Sequence, residues 1–130
     1  MSDQTPQSEH PASGASEIAR LNDWLRENIT SPGSNRVVMT IGIAALIGDV
    51  NLFRGFRKRA ELLRGVRDFD GFDEAINPYG ERDMGKFEFE DTACYWKIDY
   101  YNVDLSAGSE NPADALVTTR VLTIMRVDER

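Results

Sequence analysis

The sequence predicts an α+β fold in which two helices pack on one face of a four-stranded, mainly antiparallel sheet. Two stretches repeat apolar residues at spacings of three and four, which is typical of amphipathic helices. Four other stretches are rich in β-branched and aromatic residues, which favour strands. The predicted order of elements is α-β-α-β-β-β. Because strands follow one another after the second helix, this order indicates the α+β class.

Composition sets the size and setting of this fold. The chain has 130 residues, of which 41% are hydrophobic, enough for one domain with its own core. Residues 1–15 are polar and contain two prolines, so we expect a disordered tail ahead of a single domain over residues 16–130. The N-terminus lacks the pattern of a secretion signal, and no apolar run is long enough for a bilayer span. We therefore expect a cytoplasmic protein.

A single cysteine and a single histidine limit the chemistry. Cys94 has no second cysteine with which to form a disulfide or a thiolate metal cluster. His10 lies in the predicted tail, which argues against Ser-His-Asp and Cys-His triads and against tetrahedral zinc sites. We assign no catalytic residue, no metal and no cofactor, and the sequence favours a protein that is not an enzyme.

The first half of the chain supplies both predicted helices. Ser16 is placed to cap the first helix, whose apolar stripe ends at Ile29. Residues 36–43 are apolar on both alternation phases, which predicts a strand in the interior of the sheet. Asp49 is the expected cap of a second helix over residues 50–67. Its predicted buried stripe consists of Phe53, Phe56, Ala60, Leu63 and Val66.

The aromatic stretch over residues 94–102 is the clearest predicted strand. Alternation places Cys94, Trp96, Ile98 and Tyr100 on an inward face and Tyr95, Lys97, Asp99 and Tyr101 on an outward face. Residues 86–90 form its hairpin partner, with Asp91 and Thr92 as the turn and Phe89 opposite Cys94. Residues 117–127 give a last, interior strand. The predicted core is Phe53, Phe56, Leu63, Phe87, Phe89, Trp96, Ile98, Leu122 and Ile124.

Charge is distributed unevenly along the chain. The net charge is −7, yet residues 68–116 hold thirteen acidic and three basic residues, a net of 3 − 13 = −10. The second helix instead carries six of the fifteen basic residues. Such a helix is a candidate nucleic-acid-binding surface, although solvated cations near the protein's own carboxylates explain it more simply. The candidate nucleic-acid-binding residues are Arg54, Arg57, Lys58, Arg64 and Arg67.

Three segments resemble one family. They are P-Y-G-E-R-D-M-G at residues 78–85, Y-W-K-I-D-Y-Y at 95–101 and T-T-R-V-L-T-I-M at 118–125. The family is an uncharacterised bacterial group of small proteins, a domain of unknown function found on chromosomes, plasmids and other mobile elements. The resemblance extends from about residue 18 to the C-terminus and implies a cytoplasmic, mobile-element setting without an activity. The family pattern has His, Phe and Asp where this chain has Arg82, Met84 and Asn102, which argues against a histidine-dependent role here.

Two classes of function are expected from these features. The favoured one is a small acidic protein-binding module that inhibits or regulates a nucleic-acid-handling machine by docking on a basic protein surface. Outward tyrosines offer contact area to such a partner, although packing beneath the loops would account for them equally well. The candidate partner-binding residues are Tyr79, Glu81, Asp83, Tyr95, Lys97, Asp99, Tyr101 and Asp104.

The alternative class is a metal-assisted phosphodiesterase. Its acid, base and Mg²⁺-binding groups would be the carboxylates of Glu81, Asp83, Asp99 and Asp104. A simpler interpretation is that these groups cap turns and pair with Arg82 or Lys97. The sequence leaves the oligomeric state and the identity of any partner open.

Overall fold

The computed structural model describes residues 9–129 and confirms the α+β class. Within this range, no helix is long and apolar enough to cross a membrane. Two short 3-10 turns, Ala115–Val117 and Val127–Glu129, flank the last strand. The helices and strands are α1 Glu9–Glu27, β1 Arg36–Met39, α2 Ile41–Ile47, α3 Phe53–Arg67, β2 Met84–Phe89, β3 Thr92–Tyr101 and β4 Thr119–Arg126.

The sheet is mixed, with the order β1-β4-β3-β2. β2 and β4 pair antiparallel to β3, whereas β1 pairs parallel to β4. β4 is an interior strand, as its sequence predicts. The prediction that the first strand is also interior is wrong, because β1 lies at an edge and exposes Arg36 and Val38.

A third helix, α2, accounts for the apolar residues that follow β1. The Thr40 hydroxyl accepts a hydrogen bond from the Ile43 amide and caps α2, which buries Ile43 and Ile47 against the core. The predicted strand over residues 36–43 therefore ends at Met39. A continuous apolar run fits a buried strand and a buried helix equally well, so the pattern did not separate the two.

The orientation of α3 differs from the prediction. Leu62, Leu63 and Val66 face the core, while Phe53 and Phe56 are 75% and 60% exposed. Two of the predicted core residues are therefore at the surface. Gly55 is buried against the preceding turn, and a Cβ built there would overlap the Asp49 carbonyl oxygen. Only glycine therefore allows this side of α3 to lie so close to the turn.

The β2–β3 hairpin keeps its predicted faces but shifts its register by two residues. Phe87 pairs with Cys94 and Phe89 with Thr92, so Glu90 and Asp91 form the turn. Both turn residues have positive φ, 52° and 59°, as a type I′ turn requires. Because the shift is even, every side chain stays on its predicted face.

The core lies between the inner face of the sheet and all three helices. Of the predicted core residues, Leu63, Trp96, Ile98, Leu122 and Ile124 are buried, and Phe87 and Phe89 pack against them partly exposed. α1 adds Leu25, and Ile29 in the turn after α1 also joins the core.

The first helix begins earlier than predicted. α1 already includes Ser16, the expected cap, because the helix runs from Glu9. It thus covers residues 9–15 of the predicted tail, whereas residues 1–8 lie outside the described residues. The division into a tail and a domain stays a prediction.

Candidate functional site

Two acidic loops leave the sheet at the same end. Residues 68–83 lead into the start of β2, and residues 102–118 connect the end of β3 to the start of β4. Since β3 runs antiparallel to both neighbours, these three strand ends meet. We call the two loops together the loop end.

A buried polar cluster beneath the loop end joins both loops to α1. The fully buried Asn22 is its centre. Its amide nitrogen donates to the Glu81 carbonyl oxygen at 3.0 Å and to the Tyr100 hydroxyl at 2.9 Å. Its amide oxygen accepts from Nε of Arg120 at 2.7 Å. Each polar atom of this side chain therefore has a partner, which is what permits its burial.

Arg120 extends the polar cluster to the second loop. Its side chain is 2% exposed, and Nη2 donates to the Pro112 carbonyl oxygen at 2.5 Å. Its guanidinium carbon lies 5.1 Å from the centre of the Tyr100 ring, the strand neighbour directly opposite. Asn22 and Arg120 thus hold one residue from each acidic loop.

Tyr100 supplies the cluster with a hydroxyl donor. Burial, the largest cause, raises the pKa of Tyr100 well above its usual range, and the nearby acids Asp83 and Glu81 raise it further. The phenol therefore stays protonated and donates to the Glu81 carboxylate at 3.1 Å.

Arg26 forms a second buried part of the cluster, at the end of α3. Its guanidinium is 3% exposed and donates to the carbonyl oxygens of Val66, Arg67 and Phe69. It also pairs with Asp23 at 3.1 Å and lies 4.9 Å from the Trp96 ring. Asp23 accepts in turn from Arg82 at 2.9 Å. These contacts fix the beginning and the end of the first acidic loop.

The structure brings half of the predicted partner-binding residues together. Tyr95, Lys97, Asp99 and Tyr101 follow one another along the sheet face opposite the helices. Lys97 and Asp99 form an ion pair at 3.0 Å.

The other predicted partner-binding residues lie apart from this face. Tyr79 is 79% exposed in the first loop, and Glu81 is bound in the polar cluster. Asp104 accepts from Ser106 within the second loop. Asp83 is half-buried, and burial, followed by the charges of Glu81 and Asp99, raises its pKa. Across the described residues, no three His, Cys, Asp or Glu side chains are placed to hold a metal ion.

The basic residues of α3 lie outside the polar cluster. Three of them pair with acids: Arg57 with Glu61 at 3.6 Å, Lys58 with Glu90 at 3.0 Å, and Arg67 with Asp68 at 2.8 Å. Among the side chains described, those of residues 14–129, no carboxylate lies within ion-pair distance of Arg54, Arg59 or Arg64. We call the exposed Phe53, Phe56, Arg57 and Arg64 the outer face of α3, because helical spacing places them together.

Sequence reasoning missed the polar cluster, although two signals for it are present. Asn22 and Arg26 are polar, yet they lie at helical spacing from the core residues Leu25 and Ile29. Arg120 has the same alternation phase as Leu122 and Ile124, so it points inward from β4. A polar residue on an inward phase predicts a buried hydrogen-bond network.

Comparison with known proteins gives one match. A family model described as protein of unknown function (DUF3768) matches residues 39–129, which confirms the resemblance to a domain of unknown function. No curated protein and no solved structure matches. The matched range includes both acidic loops, Tyr100 and Arg120, whereas Asn22 and Arg26 of α1 precede it.

Proposed function

We propose that this chain, which belongs to the DUF3768 family, is a non-enzymatic binding protein that docks on a basic surface of another protein through its loop end. The finer proposal is an inhibitor or regulator of a nucleic-acid-handling protein in the bacterial cytoplasm, in a mobile-element context. Three properties of the loop end support docking: its charge, its exposed apolar residues and its attachment to the polar cluster.

Charge favours a basic partner. The two loops hold nine acidic residues and one basic residue, a net of 1 − 9 = −8. The single basic residue, Arg82, is already paired with Asp23. A field of one sign at one end of a small protein steers a basic surface towards it and raises the association rate at low salt.

Exposed apolar side chains lie among these charges. Tyr79 projects from the first loop, and Val103 and Leu116 are largely exposed in the second. Tyrosine is among the residues that most often contribute the binding energy at the centre of an interface, where the neighbouring apolar contacts exclude water, whereas exposed charges contribute little. The loop end therefore offers both steering and contact area.

The polar cluster is the observation that carries the proposal. Asn22 bonds the Glu81 carbonyl in one loop and, through Arg120, reaches the Pro112 carbonyl in the other. The loops also carry internal bonds, such as the Asn102 oxygen accepting from the Ser106 amide at 2.9 Å. A surface that is ordered before binding loses less conformational entropy when a partner docks.

Affinity capture with matched variants tests this proposal. Immobilised protein is incubated with nuclease-treated bacterial lysate and washed over a salt series, and bound proteins are compared with those retained by Tyr79→Ser/Leu116→Ser. We expect the wild type to retain a basic protein that salt releases and that the double variant loses. The control, Val50→Ser/Leu52→Ser, also removes two exposed apolar residues but lies outside the loop end. Equal retention by both double variants would contradict docking at the loop end.

A second candidate function rests on the outer face of α3. Phe53 and Phe56 are exposed beside cations, with the Arg57 guanidinium 5.8 Å from the Phe53 ring. Over Phe53–Arg67 the net charge is 6 − 1 = +5. Aromatic rings that stack on bases, next to cations that contact phosphates, are typical of single-strand binding.

Fluorescence polarisation with a labelled single-stranded oligonucleotide tests the second candidate. We expect weak, salt-dependent binding that Arg57→Gln/Arg64→Gln abolishes. Because Arg20 carries a similarly exposed guanidinium on another helix, Arg20→Gln is the control and should bind as the wild type does. Absence of binding at low salt would reject this candidate and leave the loop-end proposal untouched.

A further inference from the structure

Arg120 is a buried cation without a carboxylate partner. Its side chain is 2% exposed, yet no Asp or Glu of the described residues lies within ion-pair distance. The other buried arginine, Arg26, has such a partner in Asp23. Buried arginines are rarely left without a counter-charge, because taking an unpaired ion out of water is unfavourable.

The hydrogen bonds of Arg120 leave one of its nitrogens available. Nε donates to Asn22 and Nη2 to the Pro112 carbonyl. Nη1 makes no hydrogen bond to any residue whose side chain the structure describes, residues 14–129. A guanidinium binds a carboxylate or phosphate best with two parallel N–H groups, and Nη1 is the group not yet used.

Arg120 lines a pocket of about 420 Å³ between α1, the loop before β1 and the turn before β4. This volume lies in the range of pockets that hold small ligands. Arg20 and Trp24 line it from α1, Asn35 from the loop before β1, and Thr118 from the end of the second acidic loop. The Trp24 ring is 43% exposed, so an apolar surface is open to solvent beside a buried cation.

We infer that this pocket binds a small organic anion with a planar ring. The anionic group would meet Arg120 at the inner end, and the ring would pack against Trp24. Arg20 would supply a second positive charge at the mouth. It now pairs with Glu17 at 2.5 Å, but both side chains are exposed, so this ion pair is weak and Arg20 can turn towards a ligand.

This inference does not rest on docking at the loop end, although Ala115 and Thr118 of the second acidic loop line the pocket. The lining residues include neither Arg82 nor Asp23 and no acidic side chain. An anion bound here would nevertheless contact the residue that holds the second acidic loop, because Arg120 donates to the Pro112 carbonyl.

NMR titration of the full chain with three probes tests the inference. Benzoate carries a carboxylate on a phenyl ring, and phenyl phosphate carries a phosphate on the same kind of ring. Benzamide is the neutral analogue of benzoate. The two tryptophans give separate indole N–H signals, which Trp24→Phe assigns. We expect benzoate or phenyl phosphate to shift the Trp24 signal saturably while the buried Trp96 signal moves little. Benzamide should bind about tenfold more weakly or not at all.

Matched variants locate the binding. Arg20 and Arg57 have side chains of equal exposure, and each pairs with a glutamate one turn away on its own helix. We expect Arg20→Gln to weaken binding several-fold and Arg57→Gln to leave it unchanged. Arg120→Gln, checked for folding by its Trp96 signal, should weaken binding about tenfold or more. Glu17→Gln should strengthen it, because it releases Arg20.

Three results would overturn the inference. The first is no saturable shift of the Trp24 signal with either anion. The second is equal affinity for benzoate and benzamide, which would mean that the ring alone binds. The third is equal loss in Arg20→Gln and Arg57→Gln, which would mean that general positive charge attracts the probes. Whichever of the two anions binds more tightly identifies the anionic group that the pocket prefers.

Discussion

The polar cluster and the outer face of α3 both depend on arginine, yet they use it in opposite ways. Arg26 is buried, with four hydrogen-bond acceptors and two aromatic rings around it. Arg57 and Arg64 lie in solvent. Arg57 pairs only with Glu61, at 3.6 Å, and Arg64 has no ion-pair partner among the described residues. The first setting fixes loops in place, whereas the second leaves cations available to a partner.

This difference shows that the number of cations on a helix does not predict what they do. The basic α3 stands out in the sequence, but its cations contribute little to the fold because exposed ion pairs are weak. The isolated Arg26 and Arg120 hold three segments of the chain together because they are buried and bonded. Stability should therefore depend on the polar cluster, and any binding by α3 should be separable from it.

The largest expected effect is at Trp96, the ring beneath Arg26. Trp96 is fully buried and packs edge-on against Phe69 at 5.6 Å. Trp96→Ala should lower the free energy of unfolding by about 3–5 kcal/mol, because it leaves a large cavity in the core. Chemical denaturation measures this loss. An unchanged midpoint would mean that the inward face of β3 is not the core.

Replacing Arg26 tests whether a buried arginine contributes more to stability than an exposed one. Arg26→Met keeps an unbranched side chain but removes every hydrogen bond to the end of α3, so we expect a loss of about 3 kcal/mol. Arg57→Met is the matched control and should change stability by less than about 0.5 kcal/mol. Urea unfolding of both variants provides the test. Similar losses of stability in the two variants would show that the buried Arg26 contributes no more to the fold than the exposed Arg57.

The phenylalanines of the outer face should have a small effect on stability. Phe53→Ser and Phe56→Ser should each change the free energy of unfolding by less than about 1 kcal/mol, because both rings are mostly exposed. Thermal unfolding checks this, with Leu63→Ser on the buried face of the same helix as the positive control. A large loss of stability in Phe53→Ser would mean that Phe53 faces the core, as the sequence pattern predicts.

The smallest expected effect is a pH dependence within the loop end. The pKa of Asp83 is raised, chiefly by burial, so its ionised form is disfavoured in the folded state. Its stabilising contribution is complete below the unfolded pKa of about 3.9 and is lost as the pH rises through the folded pKa. Asp83→Asn should therefore stabilise the protein at pH 7 and have no such effect at pH 3.

Asp104 is the control with the opposite sign. Hydrogen bonds from the Ser106 side chain, and then from its amide, lower the pKa of Asp104. Its contribution is therefore present above the unfolded pKa and is lost as the pH falls through the folded pKa. Asp104→Asn should destabilise slightly at pH 7, and denaturant unfolding at both pH values compares the pair. Equal pH profiles for the two variants would contradict these assignments.

Much of the fold can be predicted from the sequence, and the predictions that were wrong have physical causes. Strict alternation in β3 predicts its inward face because the side-chain period of a strand is two. The run after β1 is apolar throughout, and only the Thr40 cap and the burial of Ile43 show that it becomes a helix. The rotation of α3 places Gly55 close to the Asp49 carbonyl, an approach between segments that no periodicity encodes.

The candidate sites could be predicted only in part. Charge counting identifies the acidic loops and the basic helix, because net charge needs no coordinates. Alternation predicts that Tyr95 and Tyr101 share a sheet face, but no pattern predicts that Tyr100 binds Glu81. The pocket at Arg120 is formed by three segments that are distant in sequence, so only the folded chain brings its residues together.

Amide hydrogen exchange of Asn22→Ala tests most directly whether the polar cluster holds the loop end in place. The loops provide reporters in the Arg82 amide, which donates to Asn77 in the first loop, and the Ser109 amide, which donates to the Tyr100 carbonyl beside the second. Asn28→Ala is the control, because Asn28 lies just beyond α1 and its side chain bonds only the Trp24 carbonyl. We expect exchange in both loops to rise by about tenfold or more in Asn22→Ala while the core amides of α3 keep their relative protection. Unchanged exchange in the loops, or a rise of the same size in Asn28→Ala, would show that the polar cluster does not hold the loop end in place.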